Sequence, residues 1–380
     1  MLQHKVIISG GGTGGHIFPA IAIAKALQKL EPDIDLLFVG AEGRMEMQKV
    51  PDAGFKIVGL NISGIRREFS LENLSWPFKL IKSLYKAGSI ISRFKPDAAV
   101  GVGGYASGPL LYKATSRNIP SIIQEQNSYP GITNKLLAKR VQRICVAYDD
   151  MDKYFPADKI IKTGNPVRSD ILYIEGKKEE ALLHFELSSS KPVLLVVGGS
   201  QGARSINRSV LNGLQQFSNA GIQLIWQTGK LFADEAREAV RKLNDQGIKT
   251  LDFIGRMDLA YAAADAVIAR SGASTVSELC IVAKPAILVP LPTAAEDHQT
   301  KNCKALVEKN AAIMLPDSSV NQLLVNTAIE LMTNKSKREA LIENIRPLAI
   351  ADSAERIAKE VLDLVMERRN EAQIHSEEGI

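Results

Sequence analysis

Short apolar runs alternate along the chain with longer stretches whose apolar positions recur every three or four residues. KVIIS (5–9) leads through glycines into IFPAIAIAKALQKL (17–30), and DLLFVG (35–40) follows. The first and last of these are strand-sized, and the middle one has the spacing of a helix face. DAAVGVGG (97–104), SIIQEQN (121–127) and RICVAY (143–148) continue the strand series, and PVLLVVGGSQGAR (192–204) restarts it. IQLIWQTG (222–229), TLDFIG (250–255), AVIARSG (266–272) and AILVPLP (286–292) complete it. Strands that alternate with helices predict an α/β protein with parallel, doubly wound sheets covered on both faces. The 380 residues suffice for two such domains. The restart near 192 puts the joint around GNPVRSD (164–170), with one domain over 1–165 and the other over 166–350. SAERIAKEVLDLVMERR (353–369) reads as a helix that returns to complete the first domain, and 370–380 as a disordered tail.

Composition narrows the class. With 45% apolar and 23% charged residues the chain is globular. No apolar run reaches the ~18–20 residues of a membrane helix, and the stretch before the first glycines is too short for a signal peptide. Cys145, Cys280 and Cys303 are far apart, with no CxxC, which predicts reduced, buried thiols and a cytoplasmic setting. The net charge of +5 is too mild to predict nucleic-acid binding. Its distribution is more telling, because residues 56–95 hold eight Lys/Arg against two acids, +6 in one segment. Within it, Ile65, Phe69, Leu74, Trp76 and Phe78 interleave with Arg66, Arg67, Lys79, Lys82 and Lys86, a pattern for an anionic membrane surface.

Ligands of doubly wound sheets bind beyond the carboxyl ends of strands. Four glycine-rich turns follow strands here: GGGTGG (10–15), GVGGYASGP (101–109), GGSQGAR (198–204) and RSGASTVSE (270–278). Glycines let a backbone approach phosphate closely, and a helix N-terminus offers unpaired N–H groups. Two such turns in each half predict a cleft between facing domains that grips a phosphorylated ligand. GGGTGG alone also fits a nicotinamide site, with Glu42 as a late candidate for the ribose, but His16 is bulky for such a loop. DDMD (149–152) contains a DxD yet sits where helix-capping aspartates sit, and the spacing of Cys280, His298 and Cys303 matches no standard metal site. Neither a metal nor another cofactor is expected.

GGTGGHIFP (11–19), GVGGYASGP, EQN (125–127), GNPVR (164–168), GGSQGAR, RSGASTVSE and DHQTKN (297–302) occur together and in order. This set resembles the MurG family of peptidoglycan GlcNAc transferases. The resemblance implies a GT-B fold, with two Rossmann-like domains facing across a cleft. It implies inverting transfer of GlcNAc from UDP-GlcNAc to the muramyl 4-hydroxyl of the undecaprenyl-linked pentapeptide, lipid I, giving lipid II and UDP. It implies a peripheral enzyme on the cytoplasmic face of the inner membrane, with other cell-wall synthesis proteins as candidate partners. Carried over by motif, Thr13, Gly14, Gly15, Asn127, Arg168, Ser200 and Ile254 contact the donor, Ile254 by reading uracil through its backbone. Ala273, Ser274, Thr275, Val276, Ser277 and Glu278 underlie the nucleoside, with Glu278 on the ribose diol, and Gln299 reads GlcNAc hydroxyls. Gln201 and Asn302 are secondary donor candidates. Gly103, Gly104, Tyr105 and Asn134 fall to the acceptor. His16, at a helix start that disfavours imidazolium, is the candidate base, and Glu125 orients the acceptor or His16. The chain departs from the family at Gln124, where His is frequent, and at WQTGK (226–230). A related glycosyltransferase with another acceptor, a nicotinamide oxidoreductase and a catalytically silent sugar-nucleotide sensor are the alternatives.

Overall fold

The computed structural model describes residues 3–62, 76–199 and 201–378. The chain forms two compact units, residues 1–167 with 352–380, and residues 168–351. In the first, β1 (Lys5–Ser9), β2 (Asp35–Ala41), β3 (Lys56–Leu60), β4 (Ala98–Gly101), β5 (Ser121–Glu125), β6 (Arg143–Val146) and β7 (Ile160–Lys162) form a parallel sheet in the order 3-2-1-4-5-6-7. Helices α1 (Gly14–Leu30), α2 (Glu46–Asp52), α3 (Trp76–Phe94), α4 (Ser107–Thr115) and α5 (Ile132–Leu137) cover it. The strand period of two sorts the core. Val6, Ile8, Phe38 and Val100 face α1, whereas Ile7, Val39, Ala99 and Ile123 pack with Ala87, Ile91, Leu110 and Leu111 on the other side.

The second unit carries α6 (Lys178–His184), then β8 (Val193–Val197), β9 (Gln223–Gln227), β10 (Ile248–Leu251), β11 (Ala266–Ala269), β12 (Ala286–Leu288) and β13 (Ile313–Met314) in the parallel order 10-9-8-11-12-13. Its remaining helices are α7 (Arg204–Asn219), α8 (Ala233–Leu243), α9 (Met257–Ala263), α10 (Ala273–Val282), α11 (His298–Val307), α12 (Val320–Thr333) and α13 (Lys335–Ile345). Leu194, Val196, Trp226 and Ile268 pack against Ile206, Val210 and Phe217 of α7 and Leu324 and Leu331 of α12. The strand expected over 250–255 ends at Leu251, and Ile254 leaves the ladder to donate its amide to Gln227 Oε1 at 2.8 Å.

The chain then returns to the first unit as α14 (Ser353–Glu378). Ile357, Val361, Leu364 and Val365 make one helical stripe buried against the α1 side of the sheet. Arg143, on β6, bonds Glu360 at 2.6 Å and Glu367 at 2.5 Å. Residues 370–378, expected as a disordered tail, continue this helix, because no proline or glycine interrupts the sequence before Gly379. In both sheets the strand order reverses beside the first strand of the unit, between β1 and β4 and between β8 and β11. These two switch points are where doubly wound sheets bind ligands.

Candidate functional site

At the first switch point the loops after β1 and β4 lie backbone to backbone. The amide of Gly11 donates to the carbonyl of Gly103 at 3.3 Å. Gly104 has φ +91°, and a Cβ there would collide with the Gly11 carbonyl oxygen. Gly103 has φ +98°, and a Cβ there would stand 2.8 Å from Cδ2 of His16. Glycine at both positions therefore lets the His16 ring lie on the second loop. Nδ1 of His16 lies 3.0 Å from the Gly11 carbonyl and 3.4 Å from the Thr13 hydroxyl. A carbonyl only accepts, so Nδ1 carries the proton and Nε2 is the basic nitrogen of the neutral ring. Thr13 precedes α1, Gly14 and Gly15 begin it, and its first turn holds no acid. Tyr105 is exposed on the second loop.

Glu125 ends β5 and is buried. Its Oε1 accepts from the amide and the side chain of Asn127, at 3.0 and 3.2 Å. Its Oε2 accepts from the Gly131 amide at 3.0 Å and from Asn134 Nδ2 at 2.8 Å. A carboxylate engaged in this way ties the turn that carries Asn127 to the start of α5, which carries Asn134. Asn134 is itself buried, and its Oδ1 has no partner among the described residues. Gln124 donates to Asn165 at 2.9 Å, and Asn165 donates to the Gln126 carbonyl at 2.8 Å, so the departure from the family at 124 joins a closed amide network.

At the second switch point a cavity of about 640 Å³ opens. Gly198, Gly199, Gly202, Arg270, Gly272, Thr275 and Gln299 line it. Thus two glycine turns, one member of the nucleoside segment and the proposed sugar reader share one wall. Ser200 lies outside the described residues. Gln201 is exposed, whereas Asn302 is fully buried with Nδ2 3.4 Å from the Ser271 carbonyl, behind the turn. Gln299 accepts the Leu291 amide through Oε1 at 2.9 Å, which fixes the rotation of its side-chain amide. Ala273, Ser274, Val276 and Ser277 form the first turns of α10 with Thr275 and Glu278.

Glu278 accepts from Tyr261 Oη at 2.9 Å. Burial pushes its carboxyl up to about 7, against the hydrogen bond from Tyr261 and the charge of Arg168. Neither the Tyr261 hydroxyl nor the Arg168 charge offsets the cost of burying the charged form. Arg168 is clamped by Asp170, with Nε 3.0 Å from Oδ1. The sequence singles out neither Asp170 nor Gln227. Buried Gln227 accepts the Ile254 amide and donates to the Gly199 carbonyl at 2.9 Å, tying the glycine turn to the residue expected to read the base. With its N–H so occupied, Ile254 has its carbonyl left for that task.

Comparison with known proteins identifies the family. Residues 6–146 match the glycosyltransferase family 28 N-terminal domain and residues 193–373 its C-terminal domain. A protein of Parabacteroides distasonis named UDP-N-acetylglucosamine--N-acetylmuramyl-(pentapeptide) pyrophosphoryl-undecaprenol N-acetylglucosamine transferase is 53% identical over 365 residues, 96% of this chain and 99% of the relative. One of the same name from Cytophaga hutchinsonii is 53% identical over 362 residues, 95% of this chain and 97% of the relative. Among solved structures, MurG of Acinetobacter baumannii superposes with a TM-score of 0.77 at 28% identity, covering 95% of this chain and 100% of that one. A UDP-GlcNAc 2-epimerase from Neisseria meningitidis, at 15% identity and TM-score 0.66 over 95% of this chain and 100% of its own, shares the fold. The chain belongs to glycosyltransferase family 28 and, within it, to the MurG type.

Proposed function

We propose that the chain transfers GlcNAc from UDP-GlcNAc to the muramyl 4-hydroxyl of a lipid-linked muramyl-pentapeptide, with inversion, releasing UDP. The observation that carries this reading is the 53% identity, over nearly the whole of both chains, to relatives bearing that name. The geometry supports the chemistry. In the second unit the glycine turn and the start of α10 offer backbone N–H groups to a diphosphate, and Arg168 adds a cation near Glu278. Glu278 accepts hydrogen bonds from the ribose diol, the Ile254 carbonyl accepts from uracil, and Thr275 and Gln299 contact the remainder of the donor. In the first unit Nε2 of His16 takes the proton of the attacking hydroxyl, while Glu125 holds Asn127 in place for the donor and Asn134 in place for the acceptor. Gly103, Gly104 and Tyr105 serve the acceptor side. The deciding experiment is turnover with UDP-GlcNAc and a lipid I analogue. Absence of product with that acceptor, and product with another lipid, would move the chain to the related-glycosyltransferase reading.

The enzyme works as a peripheral protein on an anionic membrane surface, at the cytoplasmic face of the inner membrane. Among the described residues no helix is long and apolar enough to cross a membrane. On α3, Phe78, Ile81 and Tyr85 are 75%, 53% and 77% exposed, an apolar stripe at helical spacing that the core leaves uncovered. Lys79 and Lys82 flank it, whereas Lys86 is paired with Glu42 at 2.7 Å and has less charge to offer. Ile65, Arg66, Arg67, Phe69 and Leu74 lie outside the described residues.

A further inference from the structure

Glu46 opens α2, and no motif marks it. Its side chain is fully buried. Oε1 accepts the Ala41 amide at 3.0 Å, and Oε2 accepts the Gly12 amide at 2.9 Å. A Cβ at Gly11 would collide with Oε1, and one at Gly40 would lie 2.6 Å from Cγ. Two glycines in separate loops thus make room for this one acid. The Gly12 amide and the Gly11 carbonyl belong to the same peptide group. That carbonyl is the one facing Nδ1 of His16 at 3.0 Å. Carboxylate, peptide and imidazole therefore stand in series, joined by one N–H at each step. An amide whose N–H is bound by an anion carries more negative charge on its oxygen and accepts more strongly. In a dinucleotide-binding loop such amides face a pyrophosphate. Here the Gly12 amide already serves Glu46, so this amide of the first glycine loop is not one that faces a diphosphate.

We propose that Glu46 is a positioning residue for His16, fixing its Nδ1–H tautomer through the Gly11–Gly12 peptide group. The proposal builds on the reading of His16 as the base. In water a neutral histidine favours the proton on Nε2, which here would turn a lone pair toward the Gly11 carbonyl and leave Nε2 unable to accept a proton. A peptide oriented and polarised by a buried carboxylate reverses that preference. The role differs from that of Glu125, whose hydrogen bonds hold the loop after β5.

The test is ring-nitrogen NMR of the full chain, labelled at histidine, at a pH where the rings are neutral. The chain has five histidines, and His16 is assigned by the signal lost in His16→Ala. Wild type should show a protonated Nδ1 and a basic Nε2. Glu46→Gln keeps the size but can accept only one of the two amides. It should move His16 toward the Nε2–H form and lower kcat about tenfold, with the KM for UDP-GlcNAc unchanged. Wild-type His16 found with its proton on Nε2 overturns the proposal without any variant, so the test survives a Glu46→Gln chain that does not fold. A folded Glu46→Gln with the wild-type ring spectrum overturns it equally. If the tautomer shifts but His16→Ala keeps its turnover, the base reading fails and the coupling of Glu46 to His16 stands.

Discussion

Glu278→Gln should weaken UDP binding and, at alkaline pH, stabilise the second unit. The carboxyl rises from an ordinary 4.5 to about 7 because burial disfavours its charged form. A folded-state value above the unfolded one means that the native protein holds the proton more tightly. Its contribution to stability is complete below 4.5 and is lost as the pH climbs to about 7. That interval is worth roughly 3 kcal/mol at about 1.4 kcal/mol per pH unit, an upper value because the residue keeps some exposure to solvent. A glutamine side chain bears no such cost and can still accept from Tyr261. The two proteins should be equally stable near pH 4.5, and the variant should gain up to about 1–3 kcal/mol by about pH 8. Urea unfolding followed by Trp226, which is fully buried in the second unit, reads this in a Trp76→Phe background. Calorimetry should show UDP affinity lowered by about 1–3 kcal/mol, from the loss of a charged hydrogen bond. A variant less stable than wild type at alkaline pH, binding UDP as before, would refute the argument, since Glu278 would then be a structural anion.

Four further outcomes rest on the same geometry. His16→Ala should cut turnover by roughly 10²–10⁴-fold while calorimetric UDP affinity stays constant. Gly103→Ala places a methyl 2.8 Å from the His16 ring at a positive φ, and should depress turnover in the same way without touching UDP binding. Gln299→Ala should narrow the preference for UDP-GlcNAc over UDP-GalNAc in competition assays and leave inhibition by UDP nearly unchanged. Changing Lys79 and Lys82 to Glu should reduce co-sedimentation with anionic vesicles at low salt, at about 1 kcal/mol for each charge lost near the surface; equal binding by both proteins would return α3 to an ordinary solvated face.

Much of this is legible from residue order, and the reason is local. The glycine turns follow their strands directly, so predicting the strands also predicts the site, and Thr275 and Gln299 do meet the third glycine turn around one cavity. What escapes is short or distant. Strands β7 and β13 span three and two residues at sheet edges, and so short a pattern carries little signal. Glu46 reaches Gly12 across 34 positions, and Gln227 reaches Ile254 across 27, through contacts that only the folded sheet creates. From sequence Glu125 reads as an acid at a strand end that orients the acceptor or His16. Its hydrogen-bond partners come from the turn that follows and from α5, whose path no local pattern gives.

The return of α14 to the first sheet also bears on the order in which the chain becomes whole as it leaves the ribosome. The second unit is drawn from one unbroken stretch and can close as soon as residue 351 has emerged. The first unit, though its strands are made earliest, must wait for Ile357, Val361 and Leu364 to cover Leu27 and its neighbours. Until then the α1 side of the first sheet keeps part of its apolar surface open to solvent and to chaperones. A nascent chain that stalls after residue 351 therefore holds a finished second unit and an unfinished first one, and the unit that contains His16 becomes whole only with the residues that follow.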